Sequence, residues 1–175
     1  MAIVGVGGGF QPTPVGWLNL NIDGSAIGNL GVTGGGGLIR NENDDWIMGF
    51  ARSLGITSGV MAELWALKDG LTVASLLRIA DICVKLDAEL IVLLLNNYSI
   101  NNLMLEPLLG DCRTLLKKFH STNIQHIFRE ANQCADALAK FGATLSSDFV
   151  NSPPVVEDLL AFDKAELYCN ILIST

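Results

Sequence analysis

The sequence predicts an α/β domain built on a five-stranded mixed sheet, three antiparallel strands followed by two parallel ones, flanked by helices. Three observations carry that expectation. Early segments alternate apolar and polar residues between short turns, a long stretch of helical periodicity follows, and alternation then returns. A strand, a long helix and another strand in that order imply a crossover, and so a parallel pairing beside the antiparallel meander.

The elements follow in order. Trp17 to Asp23, WLNLNID, has the period-2 pattern of a half-buried strand. Gly35 to Arg40 and Trp46 to Ser53 read as the second and third strands, joined by the polar turn Asn41 to Asp45. From Val60 to Ile79, Leu64, Leu67, Leu71, Ala74 and Leu76 or Leu77 recur at helical spacing, with Thr57 and Ser58 available as caps. Asp81 to Asp87, DICVKLD, alternates again as a fourth strand. Ala88 to Asn96 and Asn102 to Phe119 read as helices, Asn123 to Phe128 as a short fifth strand, and Arg129 to Leu145 as an Ala-rich final helix. Residues 1–15 are expected to be an N-terminal extension and 16–145 the domain. Residues 146–175, punctuated by Ser152-Pro153-Pro154, form a tail with apolar residues enough to dock on it.

Half of the 175 residues are hydrophobic and 17% are charged, a balance that favours a folded domain over disorder. Apolar runs such as Ile91 to Leu95 fall far short of the ~20 residues that span a bilayer, so no membrane span is expected. Met1 to Phe10 is Gly-rich but lacks a basic n-region. The expected setting is intracellular, nuclear or cytoplasmic, and not secretory. Cys83, Cys112, Cys134 and Cys169 form no C-x-x-C pair and read as reduced thiols, neither a zinc site nor a disulfide framework. Without secretion the Asn97-Tyr98-Ser99 sequon carries no glycan. Eleven Lys and Arg against eighteen Asp and Glu leave a net charge of −7 and no basic run, which counts against tight non-specific nucleic-acid binding.

The glycines do not build a nucleotide loop. No Lys-Ser or Lys-Thr follows Gly34 to Gly37, and Gly5, Gly7 and Gly8 lack the dinucleotide pattern. No G-x-S-x-G supplies an acyl-transfer nucleophile. Trp17, Trp46 and Trp65 are expected to pack rather than stack bases.

Four carboxylates carry the chemical signal. Asp23 ends the first predicted strand beside Gly24 and Ser25, and Asp87 ends the fourth. Those strands are adjacent in the predicted topology, so both acids reach the same sheet edge. Glu63, in the early turns of the long helix between the small residues Ala62 and Ala66, and Asp136, in the final helix, can complete a cluster. Carboxylates that close repel unless cations sit among them, and Mg²⁺ is a hard ion suited to such oxygen ligands.

The segments IDGS, MAELWAL, KLDAEL and REANQCADALAK, in that order, resemble the ribonuclease H family over about Gly16 to Gly142. More narrowly, they are similar to the ribonuclease-H-like domains of plant genomes and plant retroelement polymerases. The resemblance implies a ribonuclease-H-like fold and an endonuclease that hydrolyses the RNA strand of RNA/DNA hybrids by a two-metal mechanism. Asp23, Glu63, Asp87 and Asp136 would be the catalytic metal ligands for two Mg²⁺ ions, with Mn²⁺ as a substitute. Gly24, Ser25, Asn132 and Arg129 match positions that approach the nucleic acid. His126 invites comparison with a mobile histidine of bacterial enzymes, although its place in the fifth predicted strand favours a packed residue. His120 reads as surface. The chain lacks the basic, Trp-bearing protrusion of some relatives, carries Lys85 where an acid is common, and has Leu30 in place of a proline. With the net charge, these departures imply a weakly held hybrid. The resemblance also allows a place within a larger polymerase-like polyprotein. The competing reading is a catalytically weak nucleic-acid-binding or protein-interaction module of a retroelement-derived protein. An exonuclease of related fold would carry D-x-E in the first strand, which is not found here.

Overall fold

The computed structural model describes residues 13–28, 31–97 and 102–146, and the backbone of 150–151. Three strands come first: β1 (Leu18–Ala26), β2 (Thr33–Arg40) and β3 (Trp46–Gly55), paired antiparallel in sequence order. Helix α1 (Gly59–Leu76) crosses over to β4 (Asp81–Leu86), which lies parallel to β1. After α2 (Glu89–Asn96) and α3 (Glu106–Leu116), β5 (Ser121–His126) lies parallel to β4. The predicted sheet of three antiparallel and two parallel strands is therefore present. One strand was not expected: β6 (Val150–Asn151) pairs with Phe50 and Ala51 of β3, giving the order β5-β4-β1-β2-β3-β6. Two residues are too short to show a period, so only the pairing reveals it.

Several boundaries differ from the sequence reading, each for a local reason. β1 does not end at Asp23. Gly24, Ser25 and Ala26 stay in the ladder opposite Gly35, Gly34 and Thr33. Glycine-rich β2 has poor strand propensity, yet it is buried throughout, because a helix presses on each face. A Cβ on Gly34 would sit 2.2 Å from the Ala143 nitrogen and one on Gly36 2.4 Å from the Ala139 nitrogen, both in the last helix. On the other face, a Cβ on Gly35 would meet Ala66 of α1 at 3.2 Å. The run Gly34 to Gly37 is thus a close-packing device.

Ser58 caps α1, accepting from the Met61 N–H at 3.3 Å. The helix buries Leu64, Leu67, Leu71 and Ala74, while Leu76 and Leu77 are exposed. It stops short of Ile79 because Arg78 adopts φ 56, the left-handed turn that usually takes glycine. Arg78→Gly is therefore expected to stabilise the chain by about 1 kcal/mol, read as a higher urea midpoint. Helix α3 starts later than Asn102, whose side-chain oxygen accepts from the Met104 and Leu105 N–H groups in a turn ahead of it. The last helix, α4 (Gln133–Thr144), likewise begins after a 3-10 turn over Arg129–Ala131.

The main core joins Leu20, Ile22, Ile82, Val84 and Leu86 of the sheet to Leu64, Leu67 and Leu71 of α1. A second, smaller cluster packs Leu38 against Cys134, Ala135 and Leu138 of α4, with Trp46 alongside. Side chains of this size contribute about 2 kcal/mol each on full burial, so the two helices clamp the sheet and set where its acids stand. Trp65 also packs on the core, with the Arg52 and Lys68 cations 4.7 and 4.9 Å from its ring. Cys83, Cys112 and Cys134 are buried free thiols, whereas Cys169 and most of the tail lie outside the described residues. Among the described residues no helix is long and apolar enough to cross a membrane.

Candidate active site

Three of the four predicted acids converge. Asp23 projects from the middle of β1, Glu63 from the second turn of α1, and Asp87 follows the last residue of β4. The parallel pairing of β1 with β4 brings the two aspartates to one end of the sheet, and α1 lowers Glu63 beside them. Each offers a carboxylate oxygen, and these oxygens lie within 4.8 Å of one another.

Small residues beside Glu63 bring helix and strand into contact. A Cβ on Gly24 would lie 2.4 Å from the Glu63 nitrogen and 2.9 Å from the Ala62 Cβ. Ala62 and Gly24 therefore make room for each other, so that helix and strand touch. That contact is what lets Glu63 reach Asp23.

The electrostatics follow from burial and crowding. Asp23 is only 3% exposed. Burial raises its carboxyl to about 6; a hydrogen bond with Glu63 and one from the Gly24 N–H at 2.8 Å oppose the rise, and the Asp87 and Asp136 charges add to it. Glu63 is pushed up to about 10, first by burial and then by its hydrogen bond and repulsion with Asp23 and by Asp87. Burial and crowding thus favour the protonated Glu63 carboxyl. Its Oε2 and the Asp87 Oδ1 are buried with no hydrogen-bond partner. Such orphaned oxygens are costly unless something else engages them. An all-carboxylate set with two unengaged oxygens fits a hard divalent cation such as Mg²⁺ or Mn²⁺.

The sign of the pH dependence follows. In the unfolded chain both acids ionise near their ordinary values, 3.8 and 4.5, whereas the folded chain retains its protons to higher pH. The unfolded state then binds fewer protons, so the pair costs stability as pH rises above about 4, increasingly through 6 and beyond. Without divalent cations, the urea midpoint should fall further between pH 5 and pH 8 than it does for Asp23→Asn/Glu63→Gln. Parallel pH profiles would refute the charge crowding.

Asp136 stands apart from the triad. Its Oδ2 takes an ion pair from Lys140, one helical turn on, and its Oδ1 lies 3.6 Å from Arg129 Nη2. Lys140 was not singled out in the sequence, although the i, i+4 spacing in ADALAK was a usable signal. Arg129 is 73% exposed, with its guanidinium beside the Asp136 carboxylate. Asn132 was expected to approach nucleic acid, but its amide is 2% exposed and spent internally. It donates to the Ile22 carbonyl at 2.8 Å and accepts from Asn21 at 3.1 Å, docking the start of α4 onto β1. Gly24 and Ser25 are half-buried along β1. His126 ends β5, half-buried, with Nε2 3.1 Å from the Asp87 carbonyl oxygen, while His120 is surface-exposed beside Asp81.

Known proteins resemble this chain in sequence and in fold. Residues 21–142 match the model of a family described as reverse transcriptase-like. A candidate ribonuclease H protein of Arabidopsis thaliana is 35% identical over 135 residues, 77% of this chain. The chain spans only 22% of that relative's length. The structure is similar to ribonuclease H1 of Halobacterium salinarum, with a TM-score of 0.68 at 26% identity, covering 72% of this chain and 96% of the other. A ribonuclease H1 solved with an RNA/DNA hybrid gives a TM-score of 0.67 at 24% identity over 72% of this chain and 96% of its own. The match over residues 21–142, more than half of the chain, places it in the reverse transcriptase-like family, with the ribonuclease H fold.

Proposed function

We propose that the chain is a divalent-metal-dependent endonuclease that cuts the RNA strand of RNA/DNA hybrids. The observation that carries this is the triad Asp23, Glu63 and Asp87, with ligand atoms within 4.8 Å and two buried oxygens unengaged. These three residues would hold the cations, with Asp136 the fourth carboxylate at their side. The chemistry such cations supply when bound is activation of a water and stabilisation of the leaving oxygen of a phosphodiester. The protein's own part is to release the Glu63 proton, keep the carboxylates rigid through the β1–α1 contact, and offer the exposed Arg129 to a phosphate. The similarity to a ribonuclease H1 solved with a hybrid supports the substrate class. Gly24 and Ser25, on the β1 segment beside Asp23, are the further contacts we assign to the bound strand.

Residues 16–145 form the working domain in this reading. A net charge of −7 makes the hybrid weakly held and sensitive to salt. The coverage of the Arabidopsis relative supports a place within a longer, polymerase-like protein, and a nucleic-acid substrate goes with a nuclear or cytoplasmic setting. A second reading, a module that binds without cutting, is favoured by one observation: Lys140 and Arg129 already neutralise Asp136. The test is cleavage of a labelled hybrid with Mg²⁺ or Mn²⁺, beside single-stranded RNA and duplex RNA. Metal-dependent cutting of the hybrid alone is the expected result, and hybrid binding without cutting by the folded chain would favour the second reading.

A further inference from the structure

The segment between β5 and the turn before α4 carries an aromatic side chain that the mechanism above does not use. Phe128 lies two residues beyond the end of β5 and is 66% exposed. Residues on either side of it lie near two of the acids: His126 Nε2 is 3.1 Å from the Asp87 main-chain carbonyl oxygen, and Arg129 Nη2 is 3.6 Å from the Asp136 carboxylate. The ring is not on a loose end. The Ile127 N–H bonds the Leu86 carbonyl at 3.0 Å, the Ala131 N–H bonds the Phe128 carbonyl at 2.9 Å, and the ring meets the His126 imidazole at a steep angle with centroids 6.2 Å apart. A ring held this way gains little from the core, but presents rigid contact area that loses little entropy on binding.

Resting on the nuclease reading, we propose that Phe128 is a substrate-contacting residue whose ring packs on the sugar or base of the nucleotide beside the scissile phosphate, while Arg129 takes the phosphate. An aromatic face beside a guanidinium matches the two chemistries of a nucleotide unit. It also answers how a chain of net charge −7 holds a polyanion, because an apolar contact releases no counterions and is not weakened by salt.

The test compares the parent with Phe128→Ala, Phe128→Tyr and Arg129→Ala. In hybrid cleavage, Phe128→Ala should raise KM about tenfold, a loss expected of one aromatic contact, with kcat changed far less, and Phe128→Tyr should recover the parent value. Hybrid binding is read by fluorescence anisotropy in the non-cutting Asp23→Asn background. There Phe128→Ala should weaken Kd by the same factor at low and high salt, whereas Arg129→Ala should lower the log–log salt slope by about one. An unchanged Kd and KM for Phe128→Ala with cleavage intact overturns the contact alone, as does a loss matched by a fall in melting temperature. If the parent cuts nothing but its hybrid binding still depends on Phe128, the nuclease reading falls and the contact stands. If the parent binds no hybrid, both fall.

Discussion

Replacing Asp23 by asparagine is expected to lower hybrid cleavage at least ~100-fold, because loss of even an outer partner of a metal ligand costs about 10–100-fold and Asp23 is itself a ligand in the proposed site. The same change should raise the melting temperature of the metal-free chain. Asp23 is the most buried of the triad, and its charge is opposed by burial, Asp87 and Asp136. Asparagine keeps the shape and an oxygen for the Gly24 N–H, and removes the charge. Stabilisation by Mg²⁺, which at a hundredfold excess over Kd amounts to about 2.7 kcal/mol, should shrink in parallel. Cleavage assays and melting curves in Mg²⁺ and EDTA read all three effects. A variant that cuts as fast as its parent would remove Asp23 from the mechanism.

The second large effect is expected of Gly24→Ala, which adds one methyl group. That carbon would lie 2.4 Å from the Glu63 nitrogen and 2.7 Å from the Ala62 carbonyl carbon, both backbone atoms that cannot swing aside as a side chain would. Either β1 or α1 must shift, at a cost of about 3 kcal/mol for overpacking. Glu63 moves with the helix, so Mg²⁺-linked stabilisation should vanish even with no nucleic acid present. A glycine needed only for close approach of substrate would give a different result: normal stability, normal metal response and weaker hybrid binding. Urea titrations with and without Mg²⁺ separate the two.

The sheet was legible in the sequence because its signals are local. WLNLNID and DICVKLD show the period of a strand and α1 shows the period of a helix, so the crossover and the adjacency of β1 and β4 followed without any long-range knowledge. The four acids were picked out because the segments that hold them resemble one family in order, and all four lie within the residues 21–142 that match a family model. Where one residue's surroundings come from another part of the chain, local reading failed. The second strand read as starting at Gly35 rather than Thr33, because nothing nearby indicates that α4 and α1 press on the two faces of β2. The resemblance gave Asn132 a place near nucleic acid, and nothing local indicated its internal hydrogen bonds, because its partners, Asn21 and Ile22, lie about a hundred residues earlier.

The sequence by itself determined the order and type of the five main strands and of the helices between them, and the family, and it proposed the acids, since periodicity and motif are properties of neighbouring residues. Only the tertiary structure decided that Asp23, Glu63 and Asp87 share one cluster while Asp136 is drawn to Lys140 and Arg129. It alone decided that Gly24 and Ala62 hold Glu63 in place. Distances of a few ångströms between distant segments come from how helices and sheet pack, and packing is a property of the whole chain.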